Sequence, residues 1–217
     1  MKATKIDMQR WERRMHYEFF KGCDNPFFGI TANVDVTHLV QQTKEHQHSF
    51  FLASLYLSLK AANEIKEFRY RIKDDEVYEV EETFGGSTIL AEDNTFRFAY
   101  FYLRDNYLDF EREGKASIEK YSQINELLPT EGLTQDGINP CLHYSTIPWI
   151  SFTGFNHARA YKIGDSVPKI VFGKYFKEGD RLKMPLSVEI HHSLADGYHV
   201  GLYFERFQEL LDTYKLV

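Results

Sequence analysis

Residues Met184 to Asp196 hold the side chains best placed to do chemistry: an alternating segment runs into His192-Ser193-Leu194-Ala195-Asp196-Gly197. As an extended strand, the segment puts Leu186, Val188, Ile190 and His192 on one face and Ser187, Glu189 and His191 on the other. The apolar face therefore ends in His192. An imidazole is largely neutral near neutral pH and accepts a proton without help from a carboxylate. No covalent nucleophile is evident beside it. The chemistry that fits is removal of a proton from a substrate hydroxyl as its oxygen attacks an activated acyl group, with a donor for the oxyanion still to be found. A core histidine with one satisfied hydrogen bond, and Asp196 as the N-cap of a following helix, are the structural readings of the same motif.

The elements that must position these residues follow from periodicity. Val200, Tyr203, Phe204, Phe207, Leu210, Leu211 and Tyr214 recur at helical spacing after Gly197. A helix is predicted over Asp7 to Lys21, with Trp11, Met15, Phe19 and Phe20 on or near one side and Arg13 and Arg14 off that stripe. A second is predicted over Phe50 to Ile65, and a polar one over Asn106 to Leu128. Strands are predicted at Phe27 to Val36, Val77 to Val80, Ser87 to Leu90, Phe96 to Leu103, Cys141 to Phe152, Lys169 to Phe176 and Leu182 to His192. Gly85-Gly86 reads as a turn, Pro129 to Pro140 as a loop, and Lys177 to Asp180 as the turn of the last strand pair. Strands interleaved with a few helices argue for an α/β or α+β two-layer sandwich, a large mixed β-sheet with helices packed on one side.

The 217 residues suit one domain, 1–217, with no linker or repeat. A net charge of −6 without a Lys/Arg cluster argues against a nucleic-acid partner. The amino terminus lacks an apolar signal core, and no run approaches a membrane span, so a soluble, cytoplasmic protein is expected. Cys23 and Cys141 lie far apart and outside any CxxC pattern, as expected of reduced thiols. His46 with His48, and His191 with His192, lack further ligands at a familiar spacing, so no metal site is expected. Gly-rich phosphate loops and a Gly-x-Ser-x-Gly elbow are missing. The 18 Phe and 14 Tyr are enough to line an apolar pocket.

The stretch His192-Ser193-Leu194-Ala195-Asp196-Gly197-Tyr198-His199-Val200 resembles the active-site signature of chloramphenicol acetyltransferases. Tyr144 to Phe152 is similar to a second signature, and Gly173-Lys174-Tyr175 with Glu178-Gly179-Asp180-Arg181 to the approach to the catalytic strand. Trp11 to Phe19 resembles the amino-terminal helix of that family and Ile72 to Glu76 a central turn, so the resemblance covers essentially the whole chain.

This resemblance implies a fold shared with CoA-dependent acyltransferases, with His192 as general base and Ser145 donating its hydroxyl to the oxyanion. It implies a structural pair of Asp196 with Arg13, a coenzyme A path near Trp149, Lys174 and Tyr175, and an acceptor pocket including Phe20, Phe28 and Phe96. It further implies acetyl-CoA as co-substrate with no tightly bound cofactor, a small hydroxyl-bearing acceptor, and direct acetyl transfer in a ternary complex. The implied assembly is a homotrimer with active sites at subunit interfaces. Asp24-Asn25-Pro26 stands where the family usually has an apolar loop, Val171 where it has a threonine that holds a water, and Ala195 where it has a cysteine.

Acetylation of chloramphenicol, an antibiotic inactivation, is the leading expectation. Acetyl transfer to a different hydroxyl is the alternative that Asp24 to Pro26 motivates. The catalytic domains of dihydrolipoyl acyltransferases also use a His-x-x-x-Asp-Gly turn. From another class, a non-catalytic trimeric small-molecule-binding protein would need neither base nor oxyanion donor.

Overall fold

The alternation ending at His192 belongs to an 11-residue strand, β10 (Arg181–His191), which organises the main sheet. It pairs antiparallel with β2 (Phe27–Asp35), β8 (Lys169–Gly173) and β9 (Phe176–Glu178). The sheet continues in parallel through β7 (Cys141–Ile147) and β5 (Phe84–Leu90), then antiparallel to β6 (Phe96–Phe101), in the order β2-β10-β8-β7-β5-β6. The computed structural model describes residues 1–124, 137–159 and 165–216, so the expected loop Pro129 to Pro140 lies mostly outside the described residues.

One face of this sheet is covered by helices α2 (Thr37–Glu45), α3 (Phe50–Asn63), α4 (Tyr107–Ser122) and α5 (Gly197–Thr213). Leu142, Tyr144, Ile170, Phe172, Leu186, Val188 and Ile190 meet Leu55, Leu59, Tyr203 and Phe207 in one apolar cluster, as the alternation along β10 requires. Buried phenols keep partners: Ser58 Oγ lies 2.8 Å from the Tyr144 hydroxyl and 2.7 Å from that of Tyr203.

The opposite face is polar. Ser145 stands beside Val171, Val171 beside Ser187, and Ser187 beside Thr31, whose hydroxyl donates to Ser187 Oγ at 3.0 Å. Residues 151–159 cross part of this face. Ser151 Oγ donates to the Lys174 carbonyl at 2.7 Å, the Phe152 ring fills the space a Cβ on Gly173 would take, and Lys169 Nζ donates to the Ala158 carbonyl at 2.7 Å.

A small second sheet, β1 (Ala3–Lys5), β4 (Glu76–Val80) and β3 (Tyr70–Lys73), joins α1 (Arg14–Phe20) around a separate cluster of Trp11, Tyr17, Tyr70, Val77 and Leu194.

Several expectations shift. The amino-terminal helix begins at Arg14, because the Asp7 carboxylate and carbonyl close a turn on the N–H groups of Gln9 and Arg10. Its expected apolar stripe is buried only in part: Trp11 is buried and Phe20 half-buried, but Met15 and Phe19 are 79% and 72% exposed, whereas Arg13, expected off the stripe, is buried. Gly85 and Gly86 lie inside β5, where a Cβ on Gly86 would stand 2.6 Å from Cys141 Sγ. The Lys169 to Phe176 segment divides into β8 and β9, the strand from Cys141 stops at Ile147, and that from Phe96 stops at Phe101. The polar helix α2 had no capping side chain to announce it.

Candidate active site

His192 follows β10 directly and is held by two backbone hydrogen bonds and two aromatic rings. Its N–H donates to the Pro26 carbonyl at 2.7 Å, and its carbonyl accepts from Arg13 Nη2 at 3.3 Å. The Phe20 ring stacks on the imidazole at 4.0 Å and 6° between planes, and Phe28 lies against it at 4.4 Å. Nδ1 is buried and has no hydrogen-bond partner among the described residues. The plane of the ring is therefore set by two aromatic faces, and a positive charge arising on it would be stabilised by them.

Asp196 takes both roles that the motif offers. Its Oδ2 accepts from Arg13 Nη1 at 2.8 Å, while Oδ1 accepts the Tyr198 N–H at 3.1 Å and starts α5. The Asp196 N–H in turn donates to His199 Nδ1 at 3.2 Å, closing a capping box with histidine in the position that glutamate usually fills. Burial works to raise the Asp196 carboxyl, but the Arg13 hydrogen bond and the charges of His199 and Arg13 outweigh it and hold the group below the usual carboxylate range. Arg13, read as off the helix stripe, is thus the strut of the turn: one guanidinium binds both ends of His192 to Asp196. Leu194 anchors the middle of the turn in the Trp11 cluster.

His191, one residue before, is a different kind of histidine. Its Nδ1 accepts the Ser193 N–H at 3.2 Å, and burial, reinforced by Arg159, pushes it down to about 4. It belongs to a buried polar cluster on the second face. Arg159 pairs with Glu189, donates to Asp165 at 3.0 Å and lies 3.5 Å over the Phe27 ring, which meets His191 edge-on. Burial likewise takes His143 to about 4 and His157 to about 3, with Lys169 and Arg159 adding to both.

Ser145 is buried in β7 on the same face, and its hydroxyl makes no hydrogen bond among the described residues. Two strands and five residues separate it from His192, roughly 20 Å by strand geometry, so one chain does not bring the expected pair together. Phe96 fares similarly: Phe20 and Phe28 touch His192, but Phe96 lies on β6 at the opposite edge of the sheet, 46% exposed.

Lys174 and Tyr175 line a slot of about 160 Å³ with Phe50, Phe51, Thr146 and Pro148. Trp149 stands next to it in sequence, 63% exposed. Phe50 and Phe51 begin the helix expected over Phe50 to Ile65, and their spacing alone does not mark them as lining a slot. Thr146 Oγ1 and Ser54 Oγ, both at this slot, are buried without hydrogen-bond partners among the described residues. Among the described residues, no group of three or more His, Cys, Asp or Glu side chains is arranged to hold a metal ion. No helix among them is long and apolar enough to cross a membrane.

The family model described as "CAT: Chloramphenicol acetyltransferase" matches residues 1–208. Chloramphenicol acetyltransferase 3 of Escherichia coli is 32% identical over 214 residues, which cover 98% of this chain and 99% of that protein. A solved chloramphenicol acetyltransferase superposes with a TM-score of 0.85 at 30% identity, covering 97% of this chain and 100% of that one. The cubic core of the pyruvate dehydrogenase multienzyme complex, at 16% identity and a TM-score of 0.65 over 86% of this chain and 81% of that one, shares the fold.

Proposed function

The chain belongs to the chloramphenicol acetyltransferase family, and we propose that it transfers the acetyl group of acetyl-CoA to a hydroxyl of chloramphenicol with His192 as the base. The observation that carries this reading is His192 itself: an imidazole clasped between Phe20 and Phe28, its backbone tied to Arg13 and Pro26. His192 takes the proton of the acceptor hydroxyl as that oxygen attacks the thioester carbonyl. The Ser145 hydroxyl donates to the oxyanion. Collapse breaks the carbon–sulfur bond, and the thiolate of CoA receives the proton from the imidazolium, leaving an acetyl ester and free CoA. The two substrates meet in a ternary complex, and no acyl-enzyme is needed. The only described cysteine on the sheet, Cys141, supports this: it is buried and pushed up to about 12 by that burial, a poor nucleophile.

The separation of Ser145 from His192 supports a site made by two copies. In this reading the protein is a homotrimer, with His192, Phe20 and Phe28 of one chain facing Ser145 and Phe96 of its neighbour. Trp149 and the slot at Lys174 and Tyr175 receive acetyl-CoA, with no tightly bound cofactor. The enzyme acts in the cytoplasm, where acetylation would confer antibiotic resistance.

Chloramphenicol-dependent release of CoA thiol tests the activity, and its loss in His192→Ala tests the base. Mixing unfolded His192→Ala and Ser145→Ala chains and refolding them together tests the interface. Neither variant alone turns over, whereas the mixture should regain about a quarter of wild-type activity if each site takes one residue from each of two copies. No recovery would place both residues within one chain's site or remove one of them from the chemistry.

A further inference from the structure

The loop that closes onto His192 carries a carboxylate without a partner. The Pro26 carbonyl accepts the His192 N–H at 2.7 Å, and Asn25 Oδ1 accepts the Phe27 N–H at 3.1 Å, so the segment before β2 is pinned to the turn of the base. Asp24, two residues before Pro26, is exposed and forms no hydrogen bond or ion pair among the described residues. Two of the cations near it in sequence are engaged elsewhere. Arg13 is bound to Asp196 at 2.8 Å, and Lys21 to Glu18 at 2.6 Å.

Aromatic faces surround the base to which this loop is pinned. Phe20 and Phe28 flank the imidazole, and Phe19, 72% exposed, meets Phe20 edge-on at 4.9 Å. Aromatic faces and an unpaired carboxylate are the chemistry that recognises an organic cation.

We infer that Asp24 is a specificity-determining residue that favours acceptor alcohols carrying an ammonium group near the reacting hydroxyl, an inference that rests on the acetyltransferase reading above. The reaction is unchanged. The hydroxyl oxygen gains the acetyl group, CoA leaves with the proton, and the ammonium stays charged beside Asp24 while His192 acts.

The test uses a matched pair of acceptors. One is chloramphenicol, which is neutral. The other is its aminodiol, freed of the dichloroacetyl group and N,N-dimethylated, which keeps the nitrophenyl ring and both hydroxyls, is cationic at neutral pH and cannot form an amide. The quantity read is the ratio of kcat/KM for the cation to that for chloramphenicol. In Asp24→Asn this ratio should fall about three- to tenfold, mainly through KM for the cation, and Asp24→Glu should restore most of it. Added salt should lower the wild-type ratio more than that of Asp24→Asn. An equal ratio in wild type and Asp24→Asn, with chloramphenicol turned over by both, overturns the inference and leaves the acetyltransferase reading intact. So does a wild-type enzyme that acetylates chloramphenicol and ignores the cation. Turnover of neither acceptor by folded wild-type protein overturns both.

Discussion

The two faces of the main sheet are built on opposite principles. Beneath α3 and α5, Leu186, Val188 and Ile190 are wholly buried, and the Tyr144 and Tyr203 hydroxyls find Ser58. Across the same strands, Ser187, Glu189 and His191 face Thr31, Arg159 and Phe27, and buried nitrogens of His143 and His157 remain without partners among the described residues. One face is complete within a single chain. The other holds Ser145 and the polar cluster together.

Substitutions at the turn that follows β10 and under the helical layer should likewise fail in different ways. His192→Ala, directly after β10, should lower kcat about 10²–10⁴-fold in the CoA-release assay while the melting temperature barely moves. Leu186→Ala, in the same strand but under α5, should do the reverse, costing about 2–5 kcal/mol in denaturant unfolding with near-normal turnover of the folded fraction. A large loss of stability in the first, or of turnover in the second, would blur the division.

The polar face should also be the acid-sensitive one. His143 and His191 are held at about 4 and His157 at about 3, below the value near 6.5 of an unfolded histidine. The unfolded chain therefore binds more protons below that value. Stability from these groups is fully present above about pH 6.5 and is lost as pH falls toward 4 and then 3, by up to about 1.4 kcal/mol per pH unit for each histidine. His143→Gln should flatten the stability profile between pH 6 and 4 by one such contribution, measured by urea unfolding at each pH; an unaltered slope would detach His143 from the acid response. The smallest effect belongs to the helical layer. Asn106, whose side chain accepts the Asp109 N–H at 2.9 Å, caps α4, and Asn106→Ala should cost about 1 kcal/mol in denaturant unfolding at every pH.

What could be read in the sequence follows the same division. Strand β10, helix α3 and helix α5 announce themselves because one buried face imposes a period, and the chemistry of the His192 motif sits where that period ends. Asp196 was legible both as N-cap and as partner of Arg13, and it is both. Arg13 was legible only through family likeness, since its strut spans 183 residues and no local pattern encodes that. Gly85-Gly86 looked like a turn because small residues break strands more often than they make room for a neighbouring side chain such as Cys141. Ser145 and Phe96 gave no signal of their own, because a serine and a phenylalanine within strands are ordinary there and no local spacing sets them apart. Phe50 and Phe51 hid behind the helix they begin; two adjacent aromatics at a helix start, next to Ser49 as N-cap, were the available sign.

The arrangement of β2 and β10 also sets a timetable for synthesis. β2 lies at the edge of the main sheet with β10 as its partner there, and the Thr31–Ser187 bond joins positions 156 residues apart. At ordinary elongation rates β2 waits roughly 8–30 s for that partner. During this interval Phe27, Phe28 and Ile30 lack the strand that pairs with them. The nascent chain thus offers an unpaired, aromatic strand to whatever binds first, in the stretch whose Phe28 later lies against the His192 ring.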